Sequence, residues 1–150
     1  MAQTITSMQQ ALPRMQAILA GGGFFRLVIT GTSMLPFLRE QTDAVVLSPV
    51  PETIHRGDIL FYLRTPEAGI LHRVHRVCSQ EQFLVCGDAQ TGLERVHREQ
   101  ILAVVTRIQR GEKEVSCSCP SLRLKVAIWQ LLRPVRPYAL AALKRVGLCP

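Results

Sequence analysis

The chain contains no lysine before Lys113 and no acidic residue within 121–150, and both gaps restrict its chemistry. A lysine cannot serve as the general base of a site built from residues 1–112. Residues 1–120 hold twelve basic and eleven acidic residues, whereas 121–150 hold six basic ones. Because nucleic-acid phosphates are bound by Lys and Arg concentrated on a folded face, the nearly neutral body predicts no nucleic-acid partner.

Long apolar runs are missing as well. No run reaches the roughly 18 consecutive apolar residues of a transmembrane helix. The apolar stretch from Ile18 to Ile29 is interrupted by Gly21–Gly23 and by Arg26. We therefore expect neither a signal peptide nor a transmembrane helix, and a protein that is cytoplasmic or peripheral on the inner membrane face.

The cysteine pattern indicates neither disulfides nor a metal site. Five cysteines, an odd number without compact disulfide spacing, are typical of a reducing compartment. Cys117-Ser118-Cys119 places two thiols too close together for a strong zinc signature, and no His or Cys pair accompanies them at zinc-finger spacing. We expect no metal and no cofactor.

Hydrophobic periodicity predicts a mainly β fold with a helix at each end. Apolar residues at spacings of three and four predict a leading helix over residues 5–20: Ile5, Met8, Leu12, Met15 and Leu19. Short β-like runs follow at Leu27–Ile29, Ala44–Leu47, Ile59–Leu63, Ile70–Val77, Phe83–Cys86 and Ile101–Ile108. Without long helices between them, these strands predict a small antiparallel, barrel-like or partly open body within residues 1–120.

Residues 121–150 are predicted to form a basic amphipathic helical tail. One side of a helical wheel is apolar: Leu124, Ile128, Leu131, Leu132, Val135, Ala139, Ala142 and Val146. Pro134 and Pro137 predict a break into two helices, because a proline inside a helix removes a donor and clashes with the preceding turn. Two interpretations stay open: the apolar side contacts an anionic membrane surface, or it packs on the β body while the charges face water.

The segment Gly31-Thr32-Ser33-Met34-Leu35-Pro36 follows the first predicted strand. A serine held between a turn glycine and the start of a helix can expose its hydroxyl rigidly, beside backbone N–H groups that face a reacting carbonyl. The alternative is that Ser33 only caps that helix.

A nucleophilic Ser33 needs a general base, and the absence of lysine leaves histidine. His55 precedes a turn and His97 lies in a charged stretch. His72 and His75 lie on one predicted strand, an odd number of residues apart, so they point to opposite faces and at most one can face Ser33. Each histidine is also compatible with a structural or surface role.

Four motifs follow one another along the chain: Gly-x-Ser-Met-x-Pro at 31–36, Gly57-Asp58-Ile59-Leu60-Phe61, Ile70-Leu71-His72-Arg73-Val74 and Phe83-Leu84-Val85-Cys86-Gly87-Asp88. In order and spacing they resemble the type I signal peptidase family, and the match covers roughly residues 27–108. The strand with His-Arg-Val is similar to the archaeal and endoplasmic-reticulum branch, in which histidine replaces the bacterial lysine. The absence of lysine from residues 1–112 agrees with that branch independently.

The resemblance implies a serine endopeptidase that cleaves an extended peptide or leader and forms an acyl-enzyme on Ser33. His72 would be the general base, with His75 as the alternative because it also precedes Arg-Val. Asp88 would support the histidine or hold its loop, with Glu94 as the alternative acidic residue.

Gly31 stands where many members of that family have a serine that donates to the oxyanion. The resemblance therefore places the oxyanion and substrate contacts at Gly31, Thr32 and Met34, and substrate pairing by strand addition at Leu27–Thr30. No membrane anchor is predicted ahead of the serine, which favours a specialised processing peptidase over a general secretory one. A catalytically silent peptide-binding relative and a membrane-surface adaptor acting through 121–150 remain as alternatives.

Overall fold

The computed structural model describes residues 8–149, and Gln9 by its backbone alone. Three helices and eight strands follow in the order α1 (Met8–Ala20), β1 (Phe25–Val28), β2 (Asp43–Ser48), β3 (Ile59–Thr65), β4 (Ala68–Val77), β5 (Gln82–Cys86), β6 (Glu94–His97), β7 (Ile101–Arg110), β8 (Lys113–Ser116), α2 (Pro120–Leu131) and α3 (Arg136–Arg145). Short 3-10 turns precede β7 and α3, at Arg98–Gln100 and Arg133–Val135.

All eight strands form one antiparallel sheet in the order β1-β2-β7-β3-β4-β5-β6, with β8 paired to β7. The sheet does not close into a barrel. The predicted mainly β fold with terminal helices is confirmed, and each predicted strand is present with ends that differ by one or a few residues. The sequence patterns missed only β6 and β8, since β6 buries Val96 alone and β8 buries no residue. Strands with so little apolar content carry no alternation signal.

Alternating side chains of the sheet supply two cores. On β3, Ile59 and Phe61 enter the first core, whereas Leu60 and Tyr62 enter the second. Helix α1 covers the first core with a buried stripe at the spacing predicted for the leading helix: Leu12, Met15 and Leu19. The predicted start of that helix, with Ile5, lies outside the described residues.

The C-terminal helices separate at the two prolines, as predicted, and pack against the body. The buried residues of this region are Val126, Trp129, Gln130, Arg136 and Cys149. The apolar stripe that the helical wheel singles out points the other way: Leu124, Ile128 and Leu131 are 63%, 51% and 77% exposed. The sequence interpretation in which that stripe packs on the body is therefore wrong. The docked face carries polar side chains that bond to backbone carbonyls, which helical periodicity cannot distinguish from a solvated face.

Within residues 8–149, no helix is both long enough and apolar enough to cross a membrane.

Candidate active site

Ser33 lies in a turn between β1 and β2 that is fastened on both sides. Before it, Ile29 bonds to the backbone of Asp43 and Gln41, which continues the pairing of β1 beyond its last residue. After it, the backbone forms bends and turns through Leu38 rather than a helix, so Ser33 caps no helix. The carbonyl of Ser33 accepts a 2.8 Å hydrogen bond from the amide of Ala89. The serine is thereby held against the loop that follows β5.

Ser33 and His72 line one cavity of about 200 Å³. Its walls come from α1, the end of β1, the Ser33 turn, β3, β4 and the loop after β5, and they include Met34, Gly69 and Gln90. His72 is 5% exposed and lies on β4 opposite Leu60. The fold therefore brings together a serine and a histidine that are far apart along the chain.

His75 does not line this cavity. It sits where the pairing of β4 with β5 shifts register, between Val74 and Arg76, and its buried Nδ1 has no hydrogen-bond partner among the described residues. Burial lowers the pKa of His75, and the nearby Arg133 and Arg56 lower it further. Of the two histidines on β4, His72 is thus the one that shares a cavity wall with Ser33.

The ring of His72 is linked to a carboxylate through a tyrosine. Nδ1 lies 3.2 Å from Oη of Tyr62, and that hydroxyl donates to Oε2 of Glu94 at 2.7 Å. Arg64 donates to both oxygens of Glu94, from Nε at 2.9 Å and from Nη2 at 2.6 Å. Because β3 and β6 are at opposite ends of the run β3-β4-β5-β6, this contact requires the sheet to curve strongly.

Burial of His72 favours a neutral ring at neutral pH. Burial lowers the pKa of His72; Glu94 and Asp88 oppose this effect and Arg64 adds to it. The hydrogen bond from Arg64 holds the pKa of Glu94 below its ordinary value. Burial and the bond to Glu94 raise the pKa of Tyr62. An uncharged imidazole, a protonated phenol and an ionised carboxylate therefore coexist here.

The carboxylate of Asp88 contacts Arg73 rather than His72. Nε of Arg73 lies 2.9 Å from Oδ1, and Nη2 lies 2.8 Å from Oδ2. Both side chains are buried. The backbone carbonyl of Asp88 accepts a 2.6 Å bond from Nε1 of Trp129, on α2. These contacts put Asp88 in the position of a loop anchor, and the carboxylate that approaches His72 is that of Glu94.

The three residues expected at the oxyanion occupy different surroundings. Gly31 has a φ of 82°, and its amide donates to Oε2 of Glu40 at 3.0 Å, so that N–H is already engaged. Thr32 is exposed and is not part of the cavity wall. Met34 lines the cavity but is 2% exposed and belongs to the first core.

Gln90 is a cavity residue that sequence reasoning did not identify. Gly87 lies next to both the Ser33 carbonyl oxygen and Oε1 of Gln90, and a Cβ built on Gly87 would be 2.7 Å from each of these atoms. The Gln90 side-chain amide is therefore close to the backbone of Ser33. A primary amide offers two N–H donors. Tyr62 and Arg64 were also missed, and nothing in the sequence marks these three residues, because their contacts depend on the curvature of the sheet and on the loop after β5.

A larger cavity, of about 430 Å³, lies between α2 and the sheet and is lined by residues such as Ile59, Cys117 and Val126. No serine or histidine lines it. The smaller cavity is the one lined by both a serine and a histidine, and size alone does not identify a reactive site.

Comparison of the chain with family models, with curated proteins and with solved structures gave no match. The resemblance to signal peptidases rests on the four motifs alone.

Proposed function

We propose that this chain is a serine endopeptidase in which Ser33 is the nucleophile and His72 the general base. The observation that carries the proposal is the shared cavity: of the four histidines, His72 alone lines the wall that Ser33 lines. The neutral state of His72, which burial favours, leaves a ring nitrogen able to accept a proton. Backbone hydrogen bonds before Ser33 and at its carbonyl would fix the position of the serine backbone beside the cavity.

In the proposed reaction, Oγ of Ser33 attacks the scissile carbonyl carbon while its proton passes to His72. The tetrahedral intermediate collapses as the C–N bond breaks, and His72 returns the proton to the leaving amine. A water molecule, deprotonated by His72, then attacks the acyl ester on Ser33 and releases the new carboxylate with restoration of the serine.

The substrate that fits this site is an extended peptide. Among the described residues, β1 is the terminal strand of the sheet and pairs with β2 on one side only, and the cavity wall continues along Leu27, Val28, Ile29 and Thr30. An unpaired edge offers backbone groups for strand addition, with alternate side chains entering the cavity. A cavity of about 200 Å³ selects small side chains beside the cleaved bond.

The test is cleavage of a random peptide library, with new termini identified by mass spectrometry. Ser33→Ala and His72→Gln should each abolish cleavage while leaving the thermal midpoint unchanged within a few degrees. Ser79→Ala is the matched control, since Ser79 is an exposed serine in the β4–β5 turn. Cleavage by Ser33→Ala at the wild-type rate would overturn the proposal. Peptide binding without cleavage by the wild type would indicate the silent relative.

We also propose that α2 attaches the protein peripherally to an anionic membrane, at the inner face. The exposed stripe Leu124, Ile128 and Leu131 follows a helical spacing along α2. Arg123 and Lys125 are exposed and lie on the two flanks of that stripe. An apolar stripe between cationic flanks suits an interface, where the stripe enters the acyl boundary and the charges meet anionic headgroups.

Vesicle flotation tests this placement in the full-length chain. Vesicles with about one third anionic lipid should bind the wild type, and binding should weaken in 0.5 M salt, since ionic strength screens surface charge. Leu124→Ser with Ile128→Ser should abolish binding without reducing peptide cleavage. Undiminished binding by that double variant would contradict the assignment. Removal of 121–150 is not a suitable test, because Trp129 and Arg136 bond to the loop beside Ser33.

A further inference from the structure

We propose that Tyr62 is a positioning residue that fixes the tautomer of His72, with Glu94 acting through Tyr62 rather than on the histidine directly. This inference rests on the proposed function and identifies the part of the site that orients its base. It concerns three side chains on three different strands, β3, β4 and β6.

The hydrogens available on Tyr62, His72 and Glu94 decide which of these groups donates to which. A tyrosine hydroxyl has one hydrogen, and an ionised carboxylate can only accept. The 2.7 Å bond between Tyr62 and Glu94 therefore uses the phenolic hydrogen. Oη of Tyr62 can then interact with Nδ1 of His72, 3.2 Å away, only as an acceptor. The proton of the neutral imidazole is placed on Nδ1, which leaves Nε2 unprotonated as the nitrogen that can act as a base.

A direct carboxylate–histidine bond is not available in this geometry. Oε2 of Glu94 lies 3.9 Å from Nδ1 of His72, beyond hydrogen-bond reach. The carboxylate of Asp88 is held by Arg73. Tyr62 is thus the group that bridges the histidine and a negative charge among the described residues.

Packing and hydrogen bonds hold Tyr62, which links His72 to Glu94, in one position. Tyr62 is fully buried and belongs to the second core, so its ring cannot swing to another partner without disturbing packing. Arg64 clamps Glu94 through two hydrogen bonds. The rings of Tyr62 and His72 meet edge to face with centroids 6.1 Å apart, which sets the orientation of the imidazole.

The first test reads the tautomer without reference to activity. Nitrogen-15 NMR of histidine-labelled protein above pH 7, with the His72 signals assigned from a His72→Gln variant, should show the Nδ1–H tautomer in the wild type. Tyr62→Phe should convert it to a mixture of the two tautomers. Tyr138→Phe removes a hydroxyl from the exposed tyrosine, the other of the two in the chain, and should leave the His72 signals unchanged. An Nε2–H tautomer in the wild type, or an unchanged tautomer in Tyr62→Phe, would overturn the inference.

The second test is kinetic, on the peptide cleaved by the wild type. Loss of the bridge in Tyr62→Phe should lower kcat about 10- to 100-fold and change KM less than about 3-fold, since the bridge orients the base and does not touch substrate. Glu94→Gln, at a partly exposed position, keeps a partner for the phenol but removes the charge, and should lower kcat less. A kcat of Tyr62→Phe equal to that of Tyr138→Phe would overturn the inference. An inactive wild type would overturn the peptidase proposal and leave the tautomer result standing by itself.

Discussion

Separating the Arg73–Asp88 pair should destabilise the fold strongly. The two side chains share three hydrogen bonds of 2.8 to 3.2 Å and are almost completely buried. Removing one partner leaves the other charge buried without compensation, which costs about 3–5 kcal/mol. Asp88→Asn, which keeps the shape of the side chain, should lower the free energy of unfolding by that amount. Arg73→Met should cost at least as much, because Nη1 of Arg73 also donates to the Gly57 carbonyl at 2.8 Å.

The double variant decides whether the pair itself is responsible. Arg73→Met with Asp88→Asn leaves no unpaired charge, so its cost should fall short of the sum of the single costs by about 2–3 kcal/mol. Urea unfolding followed by circular dichroism, with linear extrapolation, measures all four free energies. The exposed pair Arg107–Glu114 is the matched control, and Arg107→Met should change stability little.

Additive costs in that cycle would refute the reasoning, since they would show that the two charges do not compensate each other in the folded state. A stable Asp88→Asn variant would refute it as well. In that case the buried carboxylate would have a role other than anchoring the loop that holds Ser33.

Four further predictions have defined outcomes. Burial lowers the pKa of His72 below 6.5, so the acid limb of the kcat/KM profile should lie below pH 6.5. Glu94 raises the histidine pKa and Arg64 lowers it. Glu94→Gln should therefore move the acid limb to lower pH, and Arg64→Met should move it to higher pH. The lowered pKa of His72 also contributes stability that is fully present above pH 6.5 and is lost as the pH falls through the folded-state pKa. In acid unfolding, the free energy of unfolding of His72→Gln should therefore depend less on pH than that of the wild type. Trp129→Phe removes the 2.6 Å bond to the Asp88 carbonyl and should cost about 1–3 kcal/mol of unfolding free energy together with part of kcat, and an unchanged thermal midpoint would contradict this. Gly31→Ala meets no atom within 4 Å but has a φ of 82°, so it should cost about 1–2 kcal/mol by backbone strain alone in urea unfolding.

Much of the fold could be predicted because its strands are marked locally. Runs such as Ala44–Leu47 and Ile101–Ile108 are rich in Val, Ile and Leu and bounded by turns, and both became strands. Periodicity also placed α1 correctly through Leu12, Met15 and Leu19. The edge strand β6 was missed because three of its four residues are polar or charged, yet this strand contributes Glu94 to the site.

The orientation of α2 shows where periodicity fails. A helical-wheel projection of α2 separates an apolar stripe from a polar side, but it does not indicate which of the two sides packs against the β sheet. The body presents backbone carbonyls at Val74 and Asp88, and Gln130 and Trp129 donate to them. Polar complementarity therefore selected the docked face, and the apolar stripe remained outside.

The sequence by itself excluded lysine as a base for Ser33 in any site built from residues 1–112, since no lysine precedes Lys113. It also determined six of the eight strands, because alternation and turn residues are local properties. Only the tertiary structure shows that His72, and not His75, shares a cavity wall with Ser33, and that Glu94 approaches His72 whereas Asp88 pairs with Arg73. These contacts depend on which side chains meet across a curved sheet, and the contacts of Tyr62 with His72 and Glu94 join residues that are 10 and 32 positions apart in the chain.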